Sequence, residues 1–375
     1  MNRPIVTATV IAAALAATAC AGTSRAADSA AVSLASSALR LPGESAVLDA
    51  MRDAGVPGVA AAWLRDCRVE HVAHYGVADA ASREPVTATT MFEAASLSKP
   101  VFAWLMMQLV DSGRLDLDAP VMSSLEYPRI RDRERFSAVT PRLVLSHSTG
   151  LPNWAGAPRD WERTDSLVFA FAPGSAFRYS GEGYQLLQVY SEQRTARPLA
   201  ERFRGALGEV MPTSVFGGAP SAGAHAAAGH DAKGARTRAL GDWPRANAAY
   251  TLRTTATEYA RFVARVCEGT GLSAAARAAM LRTTSRVAGN EWGATPDSIK
   301  AELGWALGWG TMTTPGRTIH FHWGDNGPFK AFVALDTAAR TGVVYFANGA
   351  RGLELMELLA APAVGSVRPI SVWLD

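Results

Sequence analysis

The chain has 375 residues, of which 48% are hydrophobic and 19% are charged. This is the composition of a globular protein with a large core, and it excludes a disordered or fibrous chain. The net charge is only +3 and the basic residues are scattered along the chain, so nucleic acid is not expected as a partner.

The first 19 residues have the pattern of a signal peptide. Arg3 supplies a positive charge, residues 5–17 form an apolar segment, and residues 17–19 provide the small residues of a cleavage site. The next residue, Cys20, resembles the lipidated cysteine of bacterial lipoproteins, although Ala17 stands where leucine is usual. We therefore expect an exported protein, either periplasmic or anchored to the cell envelope through a lipid on Cys20. Residues 20–40 predict a disordered leader and residues 41–375 one folded domain.

The other two cysteines, Cys67 and Cys267, lie far apart in the sequence. They could pair in an oxidising compartment, but one bond in a large domain is not a disulfide scaffold. We expect both to remain unpaired. Neither has a histidine neighbour or a recognisable motif, so a catalytic cysteine is not predicted.

The folded part begins with a predicted helix over residues 41–54, which ends before a glycine. Two apolar runs, 56–64 and 69–77, follow on either side of a polar turn, and this pattern predicts a β-hairpin. His71 and His74 lie on the hairpin and are expected to be surface residues of the strand.

The next stretch contains an S-x-x-K motif formed by Ser96 and Lys99. Residues three apart share one face of a helix, and a serine nucleophile requires a proton acceptor within about 3 Å of its oxygen. The apolar residues that follow predict a buried helix that begins near Ser96 and ends before residues 111–113. The motif arises by chance about once in a chain of this length, but the chain has only four lysines and only one has a serine three positions before it.

Helical segments and loops rich in glycine and proline alternate from about 115 to 290, and strands return towards the C-terminus. This order predicts an α+β fold, in which an antiparallel sheet built from both chain ends is flanked by helices and carries an inserted, mostly α-helical region. The predicted helices are 143–147, 183–196, 256–267, 273–283 and 353–359, and the predicted C-terminal strands are 304–309, 318–323, 331–336 and 341–348.

Three further stretches place polar side chains at structural breaks: residues 145–152 (LSHSTGLP), 177–184 (FRYSGEGY) and 322–327 (HWGDNG). Together with residues 92–100 (FEAASLSKP), in this order and spacing, they resemble the serine β-lactamase-like hydrolases related to class C β-lactamases, serine esterases and D-alanyl-D-alanine carboxypeptidases. The resemblance runs from about residue 41 to residue 359. It implies a β-lactamase/transpeptidase-like fold.

The resemblance implies catalytic roles for four residues. Ser96 would be the acylated nucleophile and Lys99 its hydrogen-bonded partner. Tyr179 would pass a proton to the leaving group. His322 would stand in the third motif, where β-lactamases carry the lysine of K-T-G.

The resemblance also implies an oxyanion hole formed by the backbone N–H groups of Ser96 and Asp325. The loss of one such donor typically raises the barrier by about 3 kcal/mol. Gly181, Trp323 and Gly324 would line the substrate side of the same site.

Either Tyr179 or Lys99 could accept the proton of Ser96. Tyrosine titrates near pH 10 when unperturbed, and an ammonium at about 4 Å would stabilise its phenolate by roughly 4 kcal/mol at an effective dielectric constant of 20. The residues do not decide between the two bases, so the pair is treated as one coupled titrating system. Placement of His322 beside Tyr179 predicts an additional change in rate near pH 6 to 7.

Two motifs depart from the β-lactamase pattern. The Y-x-N motif is here Tyr179-Ser180-Gly181, which lacks the amide that contacts a substrate acylamide and the lysine. His322 and Trp323 replace the lysine and threonine that would bind a β-lactam carboxylate. We therefore expect acyl transfer to be retained and β-lactam hydrolysis to be inefficient.

Other side chains near these motifs favour structural roles. His320 and His322 share a strand face, but no third ligand follows at metal-site spacing, so no metal site is predicted. His147 is expected to be a structural residue at a helix end, and Glu182 and Asp325 are expected to be solvated turn residues. The tryptophans that either line an acyl pocket or belong to the core are Trp154, Trp305 and Trp323.

These expectations combine into an exported or lipid-anchored serine hydrolase that requires no metal or organic cofactor. Its small-molecule or peptidoglycan-fragment substrate would be a β-lactam-like ring, a D-Ala peptide or a short acyl ester, which the motifs do not separate. The competing hypothesis is a non-catalytic or slowly acylated penicillin-binding-type protein of the envelope.

Overall fold

The largest element of the fold is an antiparallel sheet with strands from both ends of the chain. The computed structural model describes residue 1 and residues 39–156, 164–218, 224–287 and 295–375, and Leu39–Asp375 form one compact unit. The predicted signal peptide, Cys20 and nearly all of the predicted leader lie outside the described residues. The strands are β1 (Gly58–Arg65), β2 (Arg68–Gly76), β3 (Phe92–Glu93), β4 (Val215–Phe216), β5 (Gly229–His230), β6 (Arg236–Arg238), β7 (Leu252–Thr254), β8 (Ser285–Arg286), β9 (Leu303–Trp305), β10 (Gly310–Thr314), β11 (Arg317–Asp325), β12 (Lys330–Asp336) and β13 (Thr341–Ala347).

Most helices lie between β2 and β9 in the sequence, and others precede β1 or follow β13. They are α1 (Glu44–Asp53), α2 (Ser98–Asp111), α3 (Arg133–Ser137), α4 (Pro141–Leu145), α5 (Gly181–Thr195), α6 (Leu199–Leu207), α7 (Ala256–Glu268), α8 (Ala274–Leu281), α9 (Asp297–Glu302), α10 (Met356–Val364) and α11 (Arg368–Leu374), with short 3₁₀ helices at Ala95–Leu97, Val121–Ser123 and Gly352–Leu355.

The large sheet has the strand order β2-β1-β13-β12-β11-β10-β9-β8. The N-terminal strand β1 pairs with the C-terminal strand β13, with Ala61 opposite Tyr345. This pairing confirms the predicted α+β fold with a sheet built from both chain ends. A smaller sheet has the strand order β3-β7-β4, and its strand β3 ends shortly before Ser96.

The continuous apolar runs in these strands reflect burial of the sheet on both faces. Along β1, Ala60, Ala62 and Leu64 belong to the core that contains α2 and α7, whereas Ala61 and Trp63 belong to the core that contains α10 and α11. Alternate side chains of a strand point to opposite faces. Both faces of the sheet are therefore covered, and the site lies where β11 meets the start of α2.

One predicted strand, residues 304–309, is wrong in its extent. Strand β9 ends at Trp305 and β10 begins at Gly310. The intervening turn is closed by a hydrogen bond from Ala306 N–H to the Trp309 carbonyl (2.8 Å), and Gly308 has φ +86°. A side chain at Gly308 would collide with Ala103 of α2. The apolar run is thus a tight hairpin packed on α2. Helices α3, α6, α9 and α11 were not predicted.

The expectation that Cys67 and Cys267 remain unpaired is wrong, because they form a disulfide with a Cα–Cα distance of 5.4 Å. Cys67 lies in the turn between β1 and β2, and Cys267 lies in the last turn of α7. The two positions are 200 residues apart in sequence, so their proximity depends on the packing of α7 against the hairpin.

Within the described residues, no helix has both the length and the apolar character needed to cross a bilayer.

Candidate active site

The segment around Ser96 is a fixed corner between β3 and α2. Ala95 has φ +48°, a left-handed conformation that is strained for a residue other than glycine and is found most often at functional sites. The Ser98 hydroxyl donates to the Ala95 carbonyl (2.6 Å) and accepts from Leu252 N–H (3.0 Å), while the Tyr259 hydroxyl donates to the Leu97 carbonyl (2.8 Å). The corner is therefore held from both β7 and α7.

Lys99 lies next to the Ser96 hydroxyl. Its Nζ is 3.0 Å from Ser96 Oγ and 2.9 Å from the Ala249 carbonyl oxygen. The Lys99 side chain is 1% exposed, and burial lowers its pKa well below the usual value. A lowered pKa increases the neutral fraction of the amine, which is the form that can accept a proton.

Tyr179 precedes α5 and faces the same amine. Lys99 Nζ lies 4.7 Å from the centroid of the Tyr179 ring. Ser180 caps the N-terminus of α5, because its hydroxyl accepts from Gly183 N–H (2.9 Å) and donates to the Pro152 carbonyl (2.8 Å). The cap fixes the turn that presents Tyr179.

His147 lies just after the end of α4, as predicted for a residue at a helix end, and its ring also contacts Tyr179. Its ring centroid is 4.3 Å from that of Tyr179, and its Nδ1 accepts from Ser180 N–H (3.0 Å). The proton of the neutral ring is therefore on Nε2. Burial, together with the charges of Lys99 and His322, lowers the pKa of His147 well below the usual value. Its contact with Tyr179 joins segments more than thirty residues apart, which no local pattern indicates.

His322 lies on β11, and its ring is also near Tyr179. It is fully buried, its Nδ1–H donates to the Trp323 carbonyl (2.7 Å), and the ring centroids of His322 and Tyr179 are 6.0 Å apart. Burial, and then the charge of Lys99, lowers the pKa of His322 well below the usual value. The expected titration near pH 6 to 7 is therefore wrong, because the imidazole stays neutral in that range.

The end of β11 lies close to the corner around Ser96. A Cβ atom on Gly324 would lie 2.5 Å from the Ala94 carbonyl oxygen, so glycine permits this contact. The Ser96 N–H lies in the first turn of a 3₁₀ helix, where amides have no acceptor within the helix. Asp325 is exposed, as predicted, and its side chain accepts from Gly327 N–H (2.8 Å) and pairs with Lys330 (2.5 Å).

The tryptophans near the site have both core and lining positions. Trp323 is 7% exposed and packs on Tyr179 with ring centroids 5.0 Å apart. Trp305 is fully buried and packs edge-on against Tyr179 (5.8 Å). Trp154 is partly buried and lies directly against Gly181.

Two buried carboxylates support the site. Glu182 was expected to be a solvated turn residue, and this is wrong: it is fully buried and forms a bidentate pair with Arg129 (2.7 and 3.0 Å). Glu93 is also fully buried. It pairs with Arg238 and accepts from the side-chain amide of Asn326 (2.7 Å). The partners are 53 and 145 residues away, so the sequence offers no local signal for either pair.

Among the described residues, no group of three or more His, Cys, Asp or Glu side chains is arranged to hold a metal ion. His320, which shares a strand face with His322, donates its Nε2–H to the Leu281 carbonyl (2.7 Å). This hydrogen bond joins β11 to the last residue of α8.

The chain is similar to several known proteins. It is 34% identical over 191 residues to the esterase EstB of Burkholderia gladioli, an alignment that covers 44% of this chain and 47% of the esterase. It is 30% identical over 171 residues to penicillin-binding protein 4 of Amycolatopsis lactamdurans, covering 42% of this chain and 44% of that protein. The alignments thus span about half the length of these curated relatives.

Comparison of folds extends further along the chain. The D-alanine carboxypeptidase AmpC from Burkholderia cenocepacia superposes with a TM-score of 0.67 at 22% identity, covering 84% of this chain and 95% of that one. Residues 44–363 match the beta-lactamase family model. The chain therefore belongs to the beta-lactamase family of serine hydrolases and has the β-lactamase/transpeptidase-like fold.

Proposed function

We propose that this protein is an enzyme that hydrolyses an ester or amide through an acyl-serine intermediate on Ser96. The observation that carries the proposal is the position of Lys99, whose buried Nζ lies 3.0 Å from Ser96 Oγ. Ser96 is also the partly exposed residue in an otherwise buried stretch from Met91 to Pro100. A substrate carbonyl can thus reach the hydroxyl while solvent is kept from the amine.

In the acylation step, Ser96 Oγ attacks the carbonyl carbon and its proton passes to neutral Lys99. Burial favours this assignment because it lowers the pKa of Lys99, and a positioned general base typically accelerates such a step by about 10² to 10⁴-fold. The negative charge on the carbonyl oxygen is stabilised by the N–H groups of Ser96 and Asp325. Each donor of this kind contributes about 3 kcal/mol.

Collapse of the tetrahedral intermediate breaks the bond to the alcohol or amine leaving group. Tyr179, whose ring lies 4.7 Å from Lys99 Nζ, transfers a proton to that group as it departs. The Lys99 ammonium then passes the proton it took from Ser96 to the Tyr179 oxygen. Water attacks the acyl-serine and gives one proton to this pair, and the pair protonates Ser96 Oγ as the carboxylic acid leaves. His147 and His322 remain neutral, since burial lowers the pKa of both, and both rings lie near Tyr179.

We favour simple acyl esters among the three substrate classes. The esterase of Burkholderia gladioli is a similar protein, and His322 and Trp323 provide no permanent cation and hydroxyl for a β-lactam carboxylate. The test is a panel of nitrocefin, p-nitrophenyl esters and a D-Ala-D-Ala peptide, each assayed with the wild-type protein and the Ser96→Ala variant. We expect ester turnover that Ser96→Ala abolishes. Ester turnover that persists in Ser96→Ala would overturn the proposal, as would no turnover of any substrate.

The location of the protein is a second part of the proposal. Residues 1–19 have the pattern of a signal peptide, and disulfides such as Cys67–Cys267 persist mainly outside the reducing cytosol. Both features support export. Fractionation of cells that express the wild-type protein or the Cys20→Ser variant tests the location. Retention in the membrane fraction that depends on Cys20 supports lipid anchoring, and a soluble periplasmic wild-type protein contradicts lipid anchoring.

A further inference from the structure

The position next to Ser180 has an unusual environment. Gly181 occupies the third place of the tyrosine motif, where the resemblance leads one to expect asparagine. A Cβ atom on Gly181 would lie 2.5 Å from Cζ2 and 2.6 Å from Cη2 of Trp154. The Trp154 indole therefore fills the space that an asparagine side chain would enter.

The indole is held in place from both sides by the first turn of α5. Before it, the Asn153 side chain accepts from Gly181 N–H (3.0 Å) and its carbonyl accepts from Glu182 N–H (3.0 Å). After it, Ala155 N–H donates to the Glu182 carboxylate (3.0 Å). Glu182 is itself fixed by its buried pair with Arg129. Trp154 is thus a built part of the site.

Trp154 continues into a row of aromatic rings. Its ring packs edge-on against Tyr250, with centroids 5.5 Å apart, and Tyr250 packs edge-on against Trp243 at 5.2 Å. Tyr250 directly follows Ala249, whose carbonyl accepts from Lys99 Nζ (2.9 Å). We call Trp154, Tyr250 and Trp243 the aromatic wall. It begins beside the groups that hold the lysine and the tyrosine motif.

We propose that the aromatic wall is the acyl-side surface of the site and selects esters whose acyl group is apolar and carries no amide. This inference rests on the proposed acyl-serine function and specifies its substrate class. An alkyl or aryl acyl group packs on Trp154, the partly exposed ring of the wall, which Tyr250 and Trp243 support from the core (4% and 3% exposed). An acylamide would instead lose its contacts with water and find an indole where the amide of asparagine would lie. An apolar pocket that leaves a polar group of the substrate unpaired disfavours that substrate by about 10- to 100-fold.

The first experiment compares two substrates whose acyl chains have the same length, p-nitrophenyl pentanoate and p-nitrophenyl N-acetylglycinate. The kcat/KM for each is divided by the rate of its uncatalysed hydrolysis. We expect the wild type to prefer the pentanoate by about tenfold or more. Trp154→Ala reduces the preference, Trp154→Phe retains it as the matched control, and Trp154→Ala/Gly181→Asn moves it towards the amide ester. An equal preference in Trp154→Ala and the wild type overturns the inference.

A second experiment separates this inference from the proposed function. The Ser96→Ala variant is titrated calorimetrically with pentanoate and with N-acetylglycine, which are the product acids. We expect pentanoate to bind about tenfold more tightly, and the difference to disappear in Ser96→Ala/Trp154→Ala. Equal binding of the two acids contradicts the aromatic wall even where esters are hydrolysed, while preferential pentanoate binding supports it even where acyl-Ser96 does not form.

Discussion

Lys99 Nζ donates to the carbonyl of Ala249 at 2.9 Å while it contacts Ser96 Oγ at 3.0 Å. Ala249 lies before β7, 150 residues after Lys99. Its carbonyl accepts the hydrogen bond that keeps Lys99 Nζ beside Ser96 Oγ. The lysine is therefore positioned and desolvated as the proposed base requires. Its two contacts explain how a weakly nucleophilic hydroxyl can be activated at neutral pH.

Removal of the base is expected to reduce turnover without unfolding the protein. Lys99→Met retains most of the side-chain volume and leaves no buried amine, so its kcat should fall by about 10² to 10⁴-fold while its unfolding midpoint is maintained or rises. Ester kinetics and thermal melts measure the two effects. The exposed Lys233→Met variant is the control, and kcat within a few-fold of wild type in Lys99→Met would contradict the assignment.

Tyr179 and Tyr184 allow a matched comparison, since Lys99 Nζ lies over both rings at 4.7 and 5.5 Å. Tyr179→Phe removes the proposed proton donor, and its kcat should fall by about 10² to 10⁴-fold. Tyr184→Phe removes only a hydrogen bond to the Leu145 carbonyl, which is worth about 1 kcal/mol of stability. Equal losses of kcat in the two variants would show that the Tyr179 hydroxyl has no special role.

The buried histidines His147, His320 and His322 predict loss of stability in acid. Burial lowers the pKa of each below the usual 6.5, so below pH 6.5 the unfolded chain binds protons that the folded chain does not. The stability that the neutral histidines contribute is fully present above pH 6.5. It falls as pH decreases, by about 1.4 kcal/mol per pH unit for each histidine, until the folded state is protonated as well.

Urea unfolding between pH 7.5 and 4.5 measures this effect. His320→Gln, which lies away from the reacting atoms, should show a smaller slope than the wild type, whereas the exposed His71→Gln variant should not. Stability that is constant across the range would contradict the neutral burial of the three rings.

The disulfide predicts a large response to reduction. Cys67 and Cys267 close a loop with a sequence separation of 200 residues, and a cross-link over so long a loop typically stabilises a protein by about 2 to 5 kcal/mol. Urea unfolding of the oxidised protein and of Cys67→Ala/Cys267→Ala should differ by this amount. Alkylation of both thiols in the untreated, exported protein would show that the bond is absent.

Glu93 should connect stability with activity. Its buried carboxylate holds Arg238 and the Asn326 amide, and Asn326 follows the proposed oxyanion donor Asp325. Loss of one partner of a buried pair typically destabilises a protein by about 3 to 5 kcal/mol, so Glu93→Gln should lower both the unfolding free energy and kcat. Glu354→Gln, in the half-exposed pair with Arg351, is the control; a fully active Glu93→Gln protein would contradict the positioning role.

The features that the sequence predicts are those with a local signature. Ser96 and Lys99 are three residues apart, the β1–β2 hairpin has apolar runs on both sides of a polar turn, and the return of strands at the C-terminus indicates a sheet from both ends. Each depends on helix or strand geometry alone. Because this geometry is regular, the corner and the sheet could be predicted without coordinates.

The features that the sequence does not predict arise from contacts between distant segments. Glu182 looks like a turn carboxylate, and Glu93 has no distinguishing pattern, until their arginine partners are known. Cys67 becomes a disulfide residue only because α7 packs against its hairpin, and Trp154 becomes a lining residue only because its loop is bound to α5. The lowered pKa of His322 likewise results from burial under several elements.

The most direct test of the acyl-serine intermediate on Ser96 is mass spectrometry with peptide mapping. The protein is quenched in acid during turnover of p-nitrophenyl pentanoate. We expect a pentanoyl group on the peptide that contains Ser96, and no such group in the Ser96→Ala variant. Turnover of the ester with no adduct on Ser96, or with the acyl group on another residue, would contradict the acyl-serine mechanism.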